Sequence, residues 1–385
     1  MNKKLNRRQF LQATLALYSG LAGSHIAYAA QPNTNKVGVL LDPLFFQHDM
    51  EGHPESAARL RAIDQALTDY DYWKYLHSIK GRFASEEELR WVHHDGYIFE
   101  LKTLSENKGG YYDPNSQDTY LNEHSFDAAR MAAGGNIELN LAVYDRKLDS
   151  GFAMLRPPGH HALYDKAMGF CLFNSDVIAA KALQKYRGVK RVAIIDFDVH
   201  HGNGTQDLTI NDPSIMALSI HQHPFWPMTG FSGHIGEGQA KGINVNTPFR
   251  KGAGDQTYIE TFNKVIVPKL EQFQPEHIIV FAGYDGHWQD PLASHQLSVS
   301  GYNQLVKICM DAAKNLCQGR ISFSLGGGYK LEPLAECVAG SMHTLLGLPT
   351  PFNDKIGASM EFEVDYSEEI ANLAKYHLQQ KPESV

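Results

Sequence analysis

The sequence predicts an α/β fold, a single doubly wound domain whose mostly parallel central sheet is flanked by helices. Short apolar runs alternate with segments of helical periodicity, and no internal repeat or linker interrupts them. The apolar runs are rich in β-branched residues, as in 192–195 (VAII), which is typical of strands buried on both faces of a parallel sheet. Several runs end in titratable residues, and open α/β sheets place their chemistry beyond the carboxyl ends of their strands.

The predicted elements follow one another in a regular order. Strands are predicted at 37–41, 151–155, 192–195, 214–220, 277–282 and 321–325. Helices are predicted at 56–69, 86–92, 97–104, 126–143, 176–185, 255–270, 302–316 and 331–345. The segments 108–122 and 230–242 are rich in glycine and polar residues without a period, so we interpret them as loops. Residues 351–385 are polar and weakly patterned and form a predicted C-terminal tail.

The composition narrows the class of protein. Hydrophobic residues make up 43% of the 385 residues, which is enough for a sizeable core. The formal net charge of −8 argues against nucleic acid as a partner. The four cysteines (Cys171, Cys309, Cys317 and Cys337) show no CxxC spacing and define no disulfide framework.

The first 29 residues have the features of a targeting segment. Lys3, Lys4, Arg7 and Arg8 precede a short apolar stretch, and Ala27-Tyr28-Ala29 places small residues at a cleavage site. The NRRQFL run at 6–11 resembles a twin-arginine signal, which directs export of a folded protein. We therefore expect a periplasmic protein, with no lipid anchor because no cysteine follows the cleavage site. An uncleaved N-terminal anchor is the alternative.

The stretch 192–206 (VAIIDFDVHHGNGTQ) carries the strongest functional signal. Its apolar run turns abruptly into Asp196, Asp198, His200 and His201. Because side chains two residues apart share one face of an extended segment, Asp198 and His200 can converge on one point. Carboxylate oxygen and imidazole nitrogen suit Zn²⁺ or Fe²⁺. Asp196 is placed to orient a second imidazole.

Three other predicted strand ends carry titratable side chains. The segment 156–162 (RPPGHHA) presents His160 and His161 on a backbone fixed by prolines, and imidazoles need polar partners when they are buried. An acid–base pair is the interpretation we favour for them. Asp285 is a second acid at a strand end, and Tyr329 follows three glycines that let the chain bend sharply.

Six motifs together resemble the histone deacetylase and acetylpolyamine amidohydrolase family, which has the arginase–deacetylase fold. They are HPE with RL (53–55 and 59–60), RPPGHHA (156–162), GFCLFN (169–174), DFDVHHGNGTQ (196–206), AGYDGHWQDPL (282–292) and LGGGY (325–329). They occur in family order over about 37–345, and we assign 30–350 to the catalytic domain. The blocks at 201–206 and 282–285 are similar to those of the class II and bacterial members.

The resemblance implies a role for each of the singled-out residues. The ligands of one Zn²⁺ per chain would be Asp198, His200 and Asp285. His161 would be the general base and later acid, and His160, hydrogen-bonded to Asp196, its electrostatic partner. Tyr329 would donate to the oxyanion. A structural monovalent cation such as K⁺ would bind near Asp196 and Ser219.

The resemblance also implies a substrate channel. Phe170 and Trp226 would be its walls, and Leu292 would lie at its rim. Asp113 or Asp118 would hold the substrate backbone. Two departures from the family pattern concern this region: Asn203 stands where some members carry an acid, and PMTG at 227–230 replaces proline–glycine–threonine–glycine.

The expected function is therefore zinc-dependent removal of acetyl or similar short acyl groups from primary amines, by metal-activated water. Acetyl-lysine peptides and acetylpolyamines are both possible substrates of such an enzyme. One alternative is a two-manganese ureohydrolase of the same fold, against which the single Asp-x-His motif argues. The other is a non-catalytic binding protein, against which the complete set of catalytic residue types argues.

Overall fold

The computed structural model describes residues 35–382. Their central sheet has eight strands in the order β2-β1-β5-β10-β9-β6-β7-β8, and every neighbouring pair is parallel. The strands are β1 Val37–Leu40, β2 Leu76–Ser78, β5 Ser150–Ala153, β6 Val192–Asp196, β7 Ile215–Gln222, β8 Asn244–Phe249, β9 His277–Ala282 and β10 Ile321–Leu325. Two short antiparallel strands, β3 Gly110–Tyr111 and β4 Tyr120–Leu121, form a separate ribbon.

Helices connect the strands. They are α1 Ala57–Asp69, α2 Glu86–Arg90, α3 Asp95–Glu106, α4 Ser125–Tyr144, α5 Ser175–Arg187, α6 Asn203–Thr209, α7 Asp255–Thr261, α8 Val267–Phe273, α9 Val299–Cys317, α10 Leu331–Leu346 and α11 Ser367–Gln379. Two apolar clusters cover the sheet. The predicted mostly parallel, helix-flanked fold is confirmed. None of the helices described here has the length and apolar character needed to cross a bilayer.

The inner strands are fully buried, and their residues are apolar apart from Asp196, His277, Ser322 and Ser324. All six residues of β9 and all five of β6 and of β10 are buried. These strands lie side by side in the order β10-β9-β6, so their carboxyl ends meet at one edge of the sheet. β5, which leads into the 156–162 segment, flanks β10. This topology brings the four singled-out strand ends together.

The predicted helix 255–270 is interrupted in the structure. A π-helical turn, Phe262–Ile266, separates α7 from α8, and α8 continues to Phe273. Pro268 lies in the first turn of α8 and has no backbone N–H, so a regular α-helical hydrogen-bond ladder cannot run through it.

The segment after 350 is ordered against the domain. Its helix α11 buries Ile370 and His377, and His377 Nε2 lies 2.9 Å from the Asn246 carbonyl oxygen of β8. The Glu363 carboxylate accepts hydrogen bonds from backbone N–H groups at the start of α7, those of Gly254 at 2.8 Å and Thr257 at 2.7 Å. This segment therefore contains a packed helix that its weak sequence pattern did not predict. The predicted signal peptide, 1–29, lies outside the described residues.

Candidate active site

Three predicted metal ligands converge at the carboxyl ends of β6 and β9. Asp198, His200 and Asp285 each offer a ligand atom, and these atoms lie within 4.8 Å of one another. His200 Nδ1 is 3.0 Å from Asp285 Oδ2 and 3.3 Å from Asp198 Oδ1. Both aspartates are buried, and the His200 side chain is nearly so.

In both Asp198 and Asp285, the carboxylate oxygen that is not paired with His200 Nδ1 accepts a hydrogen bond from a backbone N–H group. Gly327 N–H donates to Asp198 Oδ2 at 2.8 Å, and Val199 N–H donates to Asp285 Oδ1 at 3.0 Å. A Cβ atom at Gly327 would lie 2.1 Å from Asp285 Oδ2, so only glycine lets the backbone come this close. The glycines before Tyr329 therefore shape the metal cluster as well as the turn.

The cluster strongly favours a positive charge at its centre. Burial and the neighbouring Asp198 carboxylate raise the pKa of Asp285. Burial lowers the pKa of His200, but its hydrogen bonds to Asp198 and Asp285 raise that pKa to about 10. Carboxylate oxygen and imidazole nitrogen are zinc ligands, and catalytic zinc sites use three protein ligands with one open position. The donor set therefore fits one divalent transition metal.

His160 is paired with a carboxylate. Its Nδ1 lies 2.9 Å from Asp196 Oδ2, and its ring stacks on Phe281 with the centroids 4.1 Å apart. The second oxygen, Asp196 Oδ1, accepts from the Asp198 N–H at 3.0 Å. Burial lowers the pKa of His160, but the Asp196 and Asp198 carboxylates outweigh it and the pKa is raised. His160 is therefore placed to carry a positive charge.

His161 is paired with a neutral amide instead. Its Nδ1 lies 2.7 Å from Asn203 Oδ1, and Asn203 Nδ2 contacts the Met168 sulfur at 3.5 Å. Because an amide oxygen only accepts, Nδ1 of His161 carries the hydrogen and Nε2 keeps a free lone pair. Burial and the neighbouring His160 and His200 hold the pKa of His161 well below its ordinary value. The structure thus gives two adjacent imidazoles different hydrogen-bond partners and opposite shifts in pKa.

Two polar groups anchor the backbone at Tyr329. Asp290 Oδ2 accepts from the Tyr329 N–H at 2.6 Å. Arg59 donates to the Gly328 carbonyl at 2.7 Å and to the Gly326 carbonyl, and its guanidinium carbon lies 5.1 Å from the Tyr329 ring centroid. The backbone turn that carries Tyr329 is therefore held by both Asp290 and Arg59.

The predicted channel residues form an aromatic border. Phe170 meets the Tyr329 ring edge-on at 5.7 Å, and Trp226 meets His161 edge-on at 4.6 Å. Gly169 packs between His161 and Trp226, since a Cβ there would lie 2.4–2.5 Å from both rings. Leu292 is half-buried on the loop after β9, where its N–H donates to Asp290 Oδ1 at 3.0 Å.

The loop 108–122 reaches this border through Asp118. Asp118 Oδ2 lies 3.4 Å from the Gly169 N–H, and Thr119 Oγ1 accepts from the Phe170 N–H at 3.0 Å. The Asp113 carboxylate accepts from the Asn115 N–H of its own loop. Of the two candidate loop acids, Asp118 is thus the one that contacts the residue next to Phe170, a predicted channel wall.

The family-model comparison matches residues 53–345 to the histone deacetylase domain. The chain belongs to the histone deacetylase family. This membership confirms the resemblance drawn from the six motifs, and it makes the chain a hydrolase of the deacetylase type. Every predicted site residue lies within the matched range.

Several relatives within the histone deacetylase family cover most of the chain. Histone deacetylase 14, chloroplastic, of Arabidopsis thaliana is 40% identical over 78% of this chain and 74% of its own length. The histone deacetylase-like amidohydrolase of Pseudomonas aeruginosa is 34% identical over 81% and 82% respectively. The crystal structure of an HDA15 HD domain superposes with a TM-score of 0.82 at 32% identity, covering 91% of this chain and 97% of that one.

Some residues that support the site were missed in the sequence. Asp290 accepts hydrogen bonds from three backbone N–H groups, those of Leu292, Tyr329 and Lys330, and sequence spacing cannot show such contacts. Glu55 and Arg59 belong to the first motif, which by itself implies no role for them, although both are fully buried. The signal available is a glutamate just before the predicted helix 56–69 and an arginine in its first turn, four residues apart.

Proposed function

We propose that this histone deacetylase family member is a zinc-dependent amidohydrolase that removes acetyl or similar short acyl groups from primary amines. The observation that carries the proposal is the convergence of two carboxylates and one imidazole beside the two differentiated histidines. When bound by Asp198, His200 and Asp285, one zinc ion would lower the pKa of water and polarise the amide carbonyl.

The two histidines would divide the proton transfers between them. His161, held neutral with its Nε2 lone pair free, would take a proton from the attacking water and later deliver it to the leaving amine. His160, charged against Asp196, would stabilise negative charge that develops in the transition state. The Tyr329 hydroxyl would donate to the developing oxyanion.

The channel supports an unbranched acylated amine as substrate. Phe170, which meets the Tyr329 ring, and Trp226, which meets the His161 ring, would be its aromatic walls, and Leu292 would extend the apolar border. Asp118, beside Gly169, would accept a hydrogen bond from a substrate backbone N–H or amine. Acetyl-lysine peptides and acetylpolyamines share the acylated aminoalkyl chain that such a channel would hold.

A two-manganese ureohydrolase is less well supported by these contacts. Among residues 35–382 one group of three metal-ligand side chains comes together. Asp196 is a further carboxylate two residues before Asp198, and its two oxygens are engaged by His160 and by the Asp198 N–H. A non-catalytic binding protein would have no use for a neutral His161 beside a charged His160.

We also propose that the protein is exported to the periplasm. The NRRQFL motif and the basic, then apolar, leader support export to the periplasm by the twin-arginine route.

A structural monovalent cation such as K⁺ is proposed near Asp196 and Ser219. Both residues line a small cavity of about 10 Å³ together with Asn244 and Asn246.

The proposal is tested by assaying purified, zinc-loaded protein on acetylputrescine, acetylspermidine and acetyl-lysine peptides. Release of free amine and acetate from at least one substrate is expected, and His161→Ala should abolish it. Urea release from a guanidino substrate, with no acetate released from the panel, would contradict the proposal.

A further inference from the structure

Glu55 lies at the centre of a buried ionic network behind the proposed active site. Its carboxylate is fully buried and forms a two-point ion pair with Arg156, with contacts of 2.5 Å from Nε and 2.9 Å from Nη2. The same carboxylate accepts from Arg59 Nη1 at 3.1 Å. Both arginines are also fully buried. One glutamate therefore holds two guanidinium groups that come from different segments.

Each of these arginines is linked to a different segment of the site. These segments, 325–330 with Tyr329 and 156–162 with the two histidines, are the two arms of the site. Arg59 donates to the carbonyls of Gly326 and Gly328, on either side of the glycine that binds Asp198, and it lies under the Tyr329 ring. Arg156 begins the segment that carries His160 and His161. It is also bound to the Phe45 carbonyl at 2.7 Å.

The charges make this arrangement depend on Glu55. Burial opposes ionisation of Glu55, but Arg156 and Arg59 lower its pKa to about 2, so it is a carboxylate at neutral pH. The adjacent His48 is held neutral, because burial and Arg156 lower its pKa to about 3. Without the carboxylate, two buried guanidinium groups would lose their shared counter-charge and repel each other.

We infer that Glu55 is a positioning residue that couples the two arms, setting Tyr329 through Arg59 and the histidine segment through Arg156. The catalytic part of this inference rests on the proposed function. Misplacement of a reacting group by about 1 Å costs on the order of 100-fold in rate, so small movements of either arm are enough to matter.

The coupling is tested by hydrogen exchange on the full-length, purified protein. Glu55→Gln should speed exchange in both 156–162 and 325–330. The control is Glu88→Gln, because Glu88 is also a buried carboxylate bound by an arginine, the partly exposed Arg82, with contacts of 2.6 and 2.8 Å, and its pKa is also lowered to about 2. That control should leave both segments protected. Unchanged protection of either segment in Glu55→Gln would overturn the inference, whatever the enzyme's activity.

Kinetics test the catalytic consequence. Glu55→Gln should lower kcat by about 10–100-fold with little change in KM. In the Tyr329→Phe background the same change should cost less, because residues that act through one another are not additive. Equal costs in both backgrounds would contradict action through Tyr329. Glu88→Gln should leave kcat unchanged.

A second variant covers the case in which Glu55→Gln does not fold. Glu55→Asp keeps the charge but is one methylene shorter, so it cannot reach both arginines as Glu55 does. The same double loss of protection is expected, and its absence would equally refute the coupling. If the wild type hydrolyses none of the acylated amines, the proposed function fails while the exchange result still decides the coupling.

Discussion

Replacing Asn203 by aspartate tests how the structure sets the protonation of His161. The amide oxygen of Asn203 lies 2.7 Å from His161 Nδ1, so Asn203→Asp exchanges a neutral acceptor for a charged one of nearly the same shape. The hydrogen stays on Nδ1 and the lone pair on Nε2 is kept. The change therefore alters the basicity of His161 rather than its tautomer.

The size of the effect follows from this contact. An opposite charge within about 4–6 Å shifts a pKa by roughly 1–3 units, and this carboxylate would lie within hydrogen-bond distance. Burial, His160 and His200 now hold the pKa of His161 low. A raised pKa means that His161 is protonated, and lost as a base, at a higher pH. The acid limb of the kcat/KM profile should therefore move up by about 1–3 pH units.

The assay is the pH dependence of kcat/KM on the best acylated amine. Asn211→Asp is a suitable control, because it adds the same charge on an exposed residue just beyond α6 and should leave the profile unchanged. Metal content should equal that of the wild type. An acid limb that stays in place in Asn203→Asp, with metal retained, would show that His161 is not the base.

Tyr329→Phe should lower kcat by about 10²–10³ and leave metal content and Tm almost unchanged, whereas near wild-type turnover would remove Tyr329 from the mechanism. Asp198→Ala or Asp285→Ala should lose the metal, measured by elemental analysis as about one transition-metal ion per wild-type chain. Changing Arg7 and Arg8 together to lysine should leave a precursor in the cytoplasm, and continued export by the general secretory route would contradict the twin-arginine proposal.

The inner sheet was predictable because burial on both faces leaves a simple pattern. The strand predicted at 277–282 matches β9, and that at 321–325 matches β10, residue for residue. The edge strands were missed. β2 has only three residues, and β8 (NVNTPF) mixes polar residues with a proline, so neither has the apolar run that marks an inner strand.

The candidate site was predictable where its side chains follow strands, and less so where they act from loops. Asp198, His200 and Asp285 follow β6 and β9, so the parallel topology alone brings them together. The contact of Asp118 with Gly169 depends on how the loop 108–122 folds. That loop has no periodicity from which the contact could be predicted. Long-range contacts of this kind exist only in the folded chain.

In the proposed function, one metal ion at Asp198, His200 and Asp285 supports hydrolysis of an acylated amine. The most direct measurement is a titration of metal-stripped protein with Zn²⁺, following both bound metal and acetate release. We expect turnover to rise linearly and to saturate at about one equivalent, and Asp285→Ala to stay inactive throughout. Turnover that requires two equivalents of Mn²⁺, or that is independent of added metal, would contradict it.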